Sequence, residues 1–291
     1  MATMPVVAGV DGSEESLRAV EWAALEARRH KAPLRIVSAP ALLPRVRVHA
    51  QDRETVAARL EGESFAALGE ALTRSKEVAP GQLVDIDLLT GPPALAVTQS
   101  GAGALMLVVG ARGAEGFAAM LLGSVSRYAA MEARCPVVVV REETNAVHSE
   151  VVVGIRDPRD ADGALGHAFD EAALRGATLV AVHSWNWSDP AISGCGEAPP
   201  RPGDAAHPAA EAGLDLAEAL QAWHDKYPGV PVLQDVVHGH PAHVLASYSI
   251  RADLVVIGRH DGPHARPAIG GIQHALLSHA RGPVAIVPDA C

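Results

Sequence analysis

Residues 104–124 read ALMLVVGARGAEGFAAMLLGS, passing from an apolar run through a glycine-rich loop to the start of a helical pattern. The run Ala104–Val109 has no polar alternation, which is typical of a strand buried on both faces of a parallel sheet. After the loop, Gly123-Ser124 precedes a helical pattern that continues to about Ala133. A buried strand followed by a glycine loop and a helix indicates a doubly wound α/β fold, whose loops of this kind lie at the carboxyl edge of the sheet.

The chain contains this pattern twice. The segment Val6–Val10, VVAGV, returns as Val151–Ile155, VVVGI, with an offset of 145 residues. The strand end Leu107–Gly110 returns as Val255–Gly258 with an offset of 148 residues. A drift of a few residues is expected from insertions and deletions in loops. We therefore predict two domains of one type, residues 1–145 and 148–291, each long enough to bury its own core.

Within each copy, short apolar runs alternate with helical patterns, and Ser13 occupies the position of a helix N-cap. This order predicts two tandem copies of a mostly parallel, five-stranded, doubly wound sheet with helices on both faces, a Rossmann-like arrangement. In the first copy the predicted strands are Val6–Val10, Leu34–Ser38, Leu83–Leu89, Ala104–Val109 and Val137–Val140, and the predicted helices are Ser16–Arg29, Thr55–Lys76, Ala94–Ser100 and Ser124–Ala133. In the second copy the proline- and glycine-rich stretch Ser188–Ala210 predicts an exposed excursion, followed by a helix from about Glu211.

Composition excludes several classes of function. The chain has 34 acidic and 24 basic residues, a net charge of −10 and 3% aromatic residues, which does not suit a nucleic-acid binder. Its apolar runs are far shorter than the roughly 20 residues of a membrane helix, and Met1–Val10 does not resemble a signal peptide. Cys135, Cys195 and Cys291 show no paired spacing. We therefore expect a cytoplasmic protein with no membrane or nucleic-acid partner.

The glycine loop has the chemistry of an anion site. Glycine lets the backbone approach a phosphate closely and adopt positive φ. The N–H groups at the start of the helix after Gly123, together with the helix dipole, favour an anion at that place. Ser124 adds a hydroxyl donor. The alternative is that residues 110–123 only connect a strand to a helix.

The spacing Gly-x2-Gly-x9-Gly-Ser over residues 110–124 resembles the ATP-binding motif of the universal stress protein family. The flanking segments Leu107–Gly110 and Arg134–Val137 agree with that family, and Val7–Ser13 (VAGVDGS) resembles its opening strand and turn. The resemblance covers nearly the whole chain as a tandem pair, a form that is common among actinobacterial members.

This resemblance implies that the first copy holds ATP, with or without Mg²⁺. Asp11 would contact the ribose, the adenine region or a phosphate-bound Mg²⁺, and Val37 would pack against the adenine. The implied binding residues are Gly9, Val10, Asp11, Val37, Gly110, Arg112, Gly113, Gly116, Gly123, Ser124 and Val125.

The second copy departs from this motif at the positions that would carry the chemistry. Arg156 stands in the position of Asp11, Asp261 replaces the second glycine, and Gly271 replaces the serine. An added carboxylate repels phosphate unless a metal intervenes, so we expect this copy to have lost ordinary ATP binding. Its candidate contacts are Gly154, Arg156, Gly258, Arg259, Gly270 and Gly271.

Other chemistry finds less support. No lysine follows a glycine, so a Walker A loop is excluded, and no Gly-x-Ser-x-Gly elbow is present. His238, His240 and His243 could converge on a metal, but Gly239 and Pro241 favour a turn with solvated histidines. We therefore assign no metal ligand and no catalytic residue.

The expected function is regulatory, with a nucleotide state that changes a surface read by other proteins during stress. The alternatives are a nucleotide-independent interaction scaffold, a weak ATPase assisted by Asp11 or Glu115, and an enzyme that adenylates a second substrate. The resemblance also implies pairing through the last strands, Val137–Val140 and Val284–Val287. That pairing could occur within the chain, between chains of a homodimer, or both.

Overall fold

The structure is a computed structural model that describes residues 3–41, 52–113, 122–141, 147–157, 161–185, 206–259 and 270–288. Several residues named above lie outside these ranges: Glu115, Gly116, Cys195, Asp261 and Cys291.

The first copy has the predicted order of elements, with bounds within two residues of those expected. Its elements are β1 (Val6–Gly9), α1 (Glu14–Arg29), β2 (Leu34–Ser38), α2 (Arg53–Val78), β3 (Val84–Leu88), α3 (Pro93–Ser100), β4 (Met106–Gly110), α4 (Ser124–Glu132) and β5 (Val137–Val140). The predicted N-cap is confirmed, because the side chain of Ser13 accepts a hydrogen bond from the backbone N–H of Ser16.

The second copy repeats this order. Its elements are β6 (Glu150–Ile155), α5 (Asp162–Arg175), β7 (Thr178–Trp185), α6 (Ala206–Lys226), β8 (Val232–His238), α7 (Pro241–Tyr248), β9 (Leu254–Arg259), α8 (Gly271–His279) and β10 (Val284–Pro288). The expected end of the excursion at Ala210 is wrong, because α6 already begins at Ala206. Pro208 falls in the first turn of that helix, where a missing N–H costs no intrahelical hydrogen bond.

All ten strands form one sheet in the order β3-β2-β1-β4-β5-β10-β9-β6-β7-β8. Strand pairs within each copy are parallel, as predicted. The copies join through the antiparallel pair β5–β10, in which Val138 lies opposite Ala285. The pairing of last strands therefore occurs within the chain, and two five-stranded sheets become one.

An apolar layer covers each face of this sheet. One layer contains side chains of α1, α2, α5 and α6, among them Leu17, Leu68, Phe169 and Leu216. The opposite layer contains side chains of α3, α4, α7 and α8. Each layer includes residues of both copies, so α1 and α5 share one face on either side of the β5–β10 pair. Within the described ranges, no helix combines the length and apolar character needed to cross a membrane.

Candidate functional site

The site predicted for the first copy begins where β1 ends. There Asp11 starts the turn into α1, and its Oδ1 accepts hydrogen bonds from the backbone N–H of Ser13 at 3.0 Å and from the Ser13 hydroxyl at 2.6 Å. The backbone N–H of Asp11 donates to Ser16 Oγ at 3.2 Å. Gly12 has a φ of +85°, a conformation that other residues rarely adopt. The turn therefore holds the Asp11 carboxylate in a defined place at the carboxyl edge of the sheet.

The glycine loop returns to this carboxylate. A Cβ atom added to Gly113 would collide with Asp11 Oδ2. Gly113 follows β4 and Asp11 follows β1, and these neighbouring parallel strands end at the same edge of the sheet. The structure thus brings together two residues that the sequence assigned to one site.

Gly9 and Gly110 have an additional role in packing that the sequence did not reveal. A Cβ atom at Gly110 would lie 2.8 Å from the backbone of Glu15 and Ser16, so α1 could not approach β4 as closely. A Cβ atom at Gly9 would lie 2.9 Å from a methyl group of Val97 in α3. Both glycines are therefore required by helix packing, and their contact with a nucleotide stays a prediction.

The first turn of α1 is held by two arginines. Arg112, in the glycine loop, donates from Nη2 to Glu15 Oε1 at 2.7 Å. Arg74, in α2, donates to both carboxylate oxygens of Glu14, and this hydrogen bonding lowers the pKa of Glu14 below its usual value. Arg112 thus has a protein partner beside the predicted phosphate position.

Val10 follows β1, and Val37 lies near the carboxyl end of the neighbouring strand β2. The backbone N–H of Val10 donates to the carbonyl of Val37 at 2.9 Å, and both side chains are buried. The adenine contact implied for Val37 stays a prediction.

The start of α4 is fastened to the exit of β4. Gly123 is the N-cap, and its N–H donates to the carbonyl of Ala111 at 2.8 Å. The hydroxyl of Ser126 donates to the same carbonyl at 3.0 Å. Among the described residues no side chain caps this helix, so the N–H groups of its first turn, at Ser124 and Val125, suit an anion. The positioning role of Ser126 could not be predicted from the sequence, because its partner lies 15 residues away.

The corresponding edge of the second copy contains a cavity of about 240 Å³. Its wall includes Val182, Leu245 and Ile257. Five of the six candidate contacts of this copy line it: Gly154, Arg156, Gly258, Gly270 and Gly271. The sixth, Arg259, reaches the first copy instead, where its Nη1 donates to the carbonyl of Ala133.

Gln273 organises this second edge. Its Oε1 accepts from the N–H of Gly270 at 2.8 Å, and its Nε2 donates to the carbonyl of Gly258 at 3.0 Å. Gln273 therefore ties the start of α8 to β9, as Ser126 ties α4 to β4. A glutamine three residues after a helix N-cap is a known capping signal, so the sequence does contain a local indication of this role.

Fold and site together define a class of protein: a tandem pair of doubly wound α/β domains, with the start of a helix at the carboxyl edge of each half-sheet. The sequence model of the universal stress protein family matches residues 3–141 and, separately, residues 149–288. Universal stress protein Rv2005c of Mycobacterium tuberculosis is 34% identical, with 97% of this chain and 96% of that protein aligned. Universal stress protein Rv2623 of the same species is 30% identical over 99% of this chain and 98% of that protein.

A solved universal stress protein from Archaeoglobus fulgidus shares the fold across 99% of this chain and 97% of its own, with a TM-score of 0.72 at 17% identity. The chain belongs to the universal stress protein family, with two copies of the family domain in tandem.

Proposed function

We propose that the first copy binds an adenine nucleotide, ATP in the first place, and that the bound state regulates contacts with other proteins. The observation that carries this proposal is the meeting of Asp11, Gly113 and the start of α4 at one edge of the sheet, where no side chain of the described ranges caps that helix. The spacing Gly-x2-Gly-x9-Gly-Ser, which resembles the family's ATP motif, supports ATP over other anions.

Each part of the edge would have a separate task. The Asp11 carboxylate, already oriented by Ser13, would accept hydrogen bonds from ribose hydroxyls or hold a phosphate-bound Mg²⁺. Backbone N–H groups of the glycine loop and of Ser124 and Val125 would donate to phosphate oxygens. These N–H groups stabilise the phosphate charge by hydrogen bonding and supply no reacting group, so we expect slow hydrolysis at most.

Arg112 would link nucleotide binding to the surface of the domain. In the structure its guanidinium is paired with Glu15 in the first turn of α1. A phosphate is a bidentate partner for arginine and would compete with this carboxylate. Transfer of Arg112 to the phosphate would release Glu15 and change the charge presented at the start of α1, which is a surface another protein could read.

We propose that the second copy does not bind ATP in the same way. Arg156 lines its cavity in place of the aspartate, and Gln273 occupies the position of Ser126. This copy nevertheless completes the ten-stranded sheet and both apolar layers. Its role would be structural support and contact with partners.

The test is isothermal titration calorimetry with Mg²⁺-ATP on the full chain and four variants. Asp11→Ala and Gly113→Glu should abolish binding, because one removes the carboxylate and the other places a charged side chain against it. The matched controls are Asp85→Ala, at an exposed strand position, and Gly62→Glu, at an exposed helical position with open space around it. Both controls should bind one ATP per chain, like the wild type.

Two results would contradict the proposal. Absence of ATP binding by the wild type would favour the nucleotide-independent scaffold. A stoichiometry near two ATP per chain would show that the second copy also binds ATP.

A further inference from the structure

A group of buried charged side chains lies where α1 of the first copy meets α5 of the second. Glu26 in α1 and Glu171 in α5 occupy the same position of the repeat, 145 residues apart, and both are fully buried. Burial of a carboxylate is costly unless charged or hydrogen-bonding partners compensate. The partners of these two glutamates therefore decide what the group can do.

Arg175 holds the same oxygen of each glutamate. It donates from Nη2 to Glu26 Oε2 at 2.6 Å and from Nη1 to Glu171 Oε2. The other oxygen of each glutamate, Oε1, faces His30. His30 Nε2 is hydrogen-bonded to Glu171 Oε1 at 3.0 Å and lies 3.6 Å from Glu26 Oε1. Arg175 thus orients both carboxylates as an outer shell orients the ligands of a metal.

Two polar atoms of this group accept or donate no hydrogen bond within the part of the chain that the structure describes. They are Oε1 of Glu26, whose side chain is 0% exposed, and Nε2 of His167. His167 Nε2 lies 4.0 Å from Glu171 Oε1. Buried polar atoms are rarely left unpaired, so each of these two atoms has room for a further partner.

The sequence spacing places these donors on facing helices. Glu26 lies in α1 and His30, four residues later, is the C-cap of that helix, while His167 and Glu171 are four residues apart in α5. Residues at this spacing share one face of a helix, and metal sites between helices are built from such carboxylate and histidine pairs. The sequence alone does not reveal this group, because its two pairs lie about 140 residues apart and form no cluster within one segment.

The distances suit a tetrahedral ion. One ligand atom from each of Glu26, His30 and Glu171 lies within 4.8 Å of the others. Zinc bonds of about 2.0–2.1 Å place neighbouring ligands about 3.3 Å apart. The separations of 3.0 and 3.6 Å from His30 Nε2 bracket that value.

We propose that Glu26, His30 and Glu171 form a site for one divalent cation of the zinc class at the junction of the two copies, and that His167, whose Nε2 lies 4.0 Å from Glu171 Oε1, moves inward as the fourth ligand. Two carboxylates and two imidazoles are donors that Zn²⁺ accepts. A surface pocket lined by His30, His167, Asp170 and Glu171 gives an ion access. The bound ion would connect α1 directly to α5, and so the first copy to the second.

The test uses the full chain, freed of metal with EDTA and titrated with Zn²⁺ against a chromophoric chelator. Wild type should bind one Zn²⁺ per chain, and Co²⁺ should give the strong visible absorption of a four-coordinate site. His30→Gln and Glu171→Gln should each weaken Zn²⁺ binding at least a hundredfold. The matched control is His240→Gln with His243→Gln, which removes two exposed histidines in ring contact and should leave binding unchanged.

A second measurement needs only the wild type and covers the case in which a buried variant does not fold. X-ray absorption of the zinc-loaded chain should show scattering from two imidazoles and oxygen ligands. Failure of the wild type to bind Zn²⁺ stoichiometrically would overturn the proposal, as would loss of binding in the His240/His243 control alone. These outcomes are independent of ATP, which is absent from both measurements.

Discussion

At the residue scale, Gly110 and Gly113 are close neighbours in one motif, yet the structure requires glycine at each for a different reason. A side chain at Gly110 would meet the backbone of α1, which cannot yield without moving the helix. A side chain at Gly113 would meet the Asp11 carboxylate, which can rotate away. The first glycine therefore serves the fold, and the second serves the site.

Alanine substitutions separate these two roles. Gly110→Ala should lower the free energy of unfolding by about 1–3 kcal/mol, because an overpacked contact forces the backbone to shift. Gly113→Ala should change stability less but weaken ATP binding, because it displaces Asp11. Urea unfolding and calorimetry on both variants check this, and equal losses of stability would refute the distinction.

Cys135 allows a residue-scale test that depends on pH. Burial raises the pKa of this thiol to about 11, so at pH 8 almost all of it is protonated in the folded chain. The thiolate is the reactive form. With Cys195→Ser and Cys291→Ser in place, alkylation of the folded chain at pH 8 should be about a hundredfold slower than in denaturant, and should accelerate towards pH 11.

The denatured sample of the same variant is the control for intrinsic reactivity. A folded chain that reacts as fast as the denatured one would contradict the burial of Cys135.

The burial of Cys135 was predictable from its position just before a strand. The ion pair of Arg112 with Glu15 was not predictable, because those residues are 97 positions apart.

At the element scale, periodicity was sufficient to place the strands and helices of the first copy that fall within the described residues. Ser13 fixes the start of α1 through a local signal, a capping serine before two acidic residues. The start of α6 was missed because prolines before Glu211 were attributed to a loop, although a first-turn proline suits a helix. Two side-chain hydrogen bonds connect the starts of α4 and α8 to the ends of β4 and β9. They could not be predicted, because their acceptors belong to other elements.

These two ties predict a difference between the copies. Ser126→Ala and Gln273→Ala should each lower the free energy of unfolding by about 1 kcal/mol, because each removes side-chain hydrogen bonds to backbone groups. Only Ser126→Ala should also weaken ATP binding, because α4 belongs to the proposed site and α8 does not. If both changes weaken ATP binding by the same factor, the second edge takes part in binding.

At the scale of the whole molecule, the repeat in the sequence predicts two copies but not how they meet. Val137–Val140 and Val284–Val287 are both short apolar strands, and nothing in either one distinguishes a partner within the chain from a partner in another chain. The structure pairs them with each other, and this pairing places α1 beside α5. The charge group at that contact follows from the pairing and could not be predicted before it.

Arg175 offers the test of how strongly this contact couples the copies. Its side chain is only 4% exposed, and it is the cation that donates to both buried glutamates. Arg175→Met should lower the free energy of unfolding by about 3–5 kcal/mol, because two carboxylates would remain buried without that cation. Urea denaturation of the full chain in EDTA measures the loss without any contribution from metal.

The matched control is Arg29→Met, because Arg29 also donates to Glu26 but is 37% exposed, so its loss should cost no more than about 1 kcal/mol. Adding Glu26→Gln and Glu171→Gln to Arg175→Met should restore much of the stability, since neutral amides need no cation. If Arg175→Met unfolds like Arg29→Met, the buried charges do not stabilise the contact between the two copies, and the β5–β10 strands and the apolar layers are sufficient to hold them together.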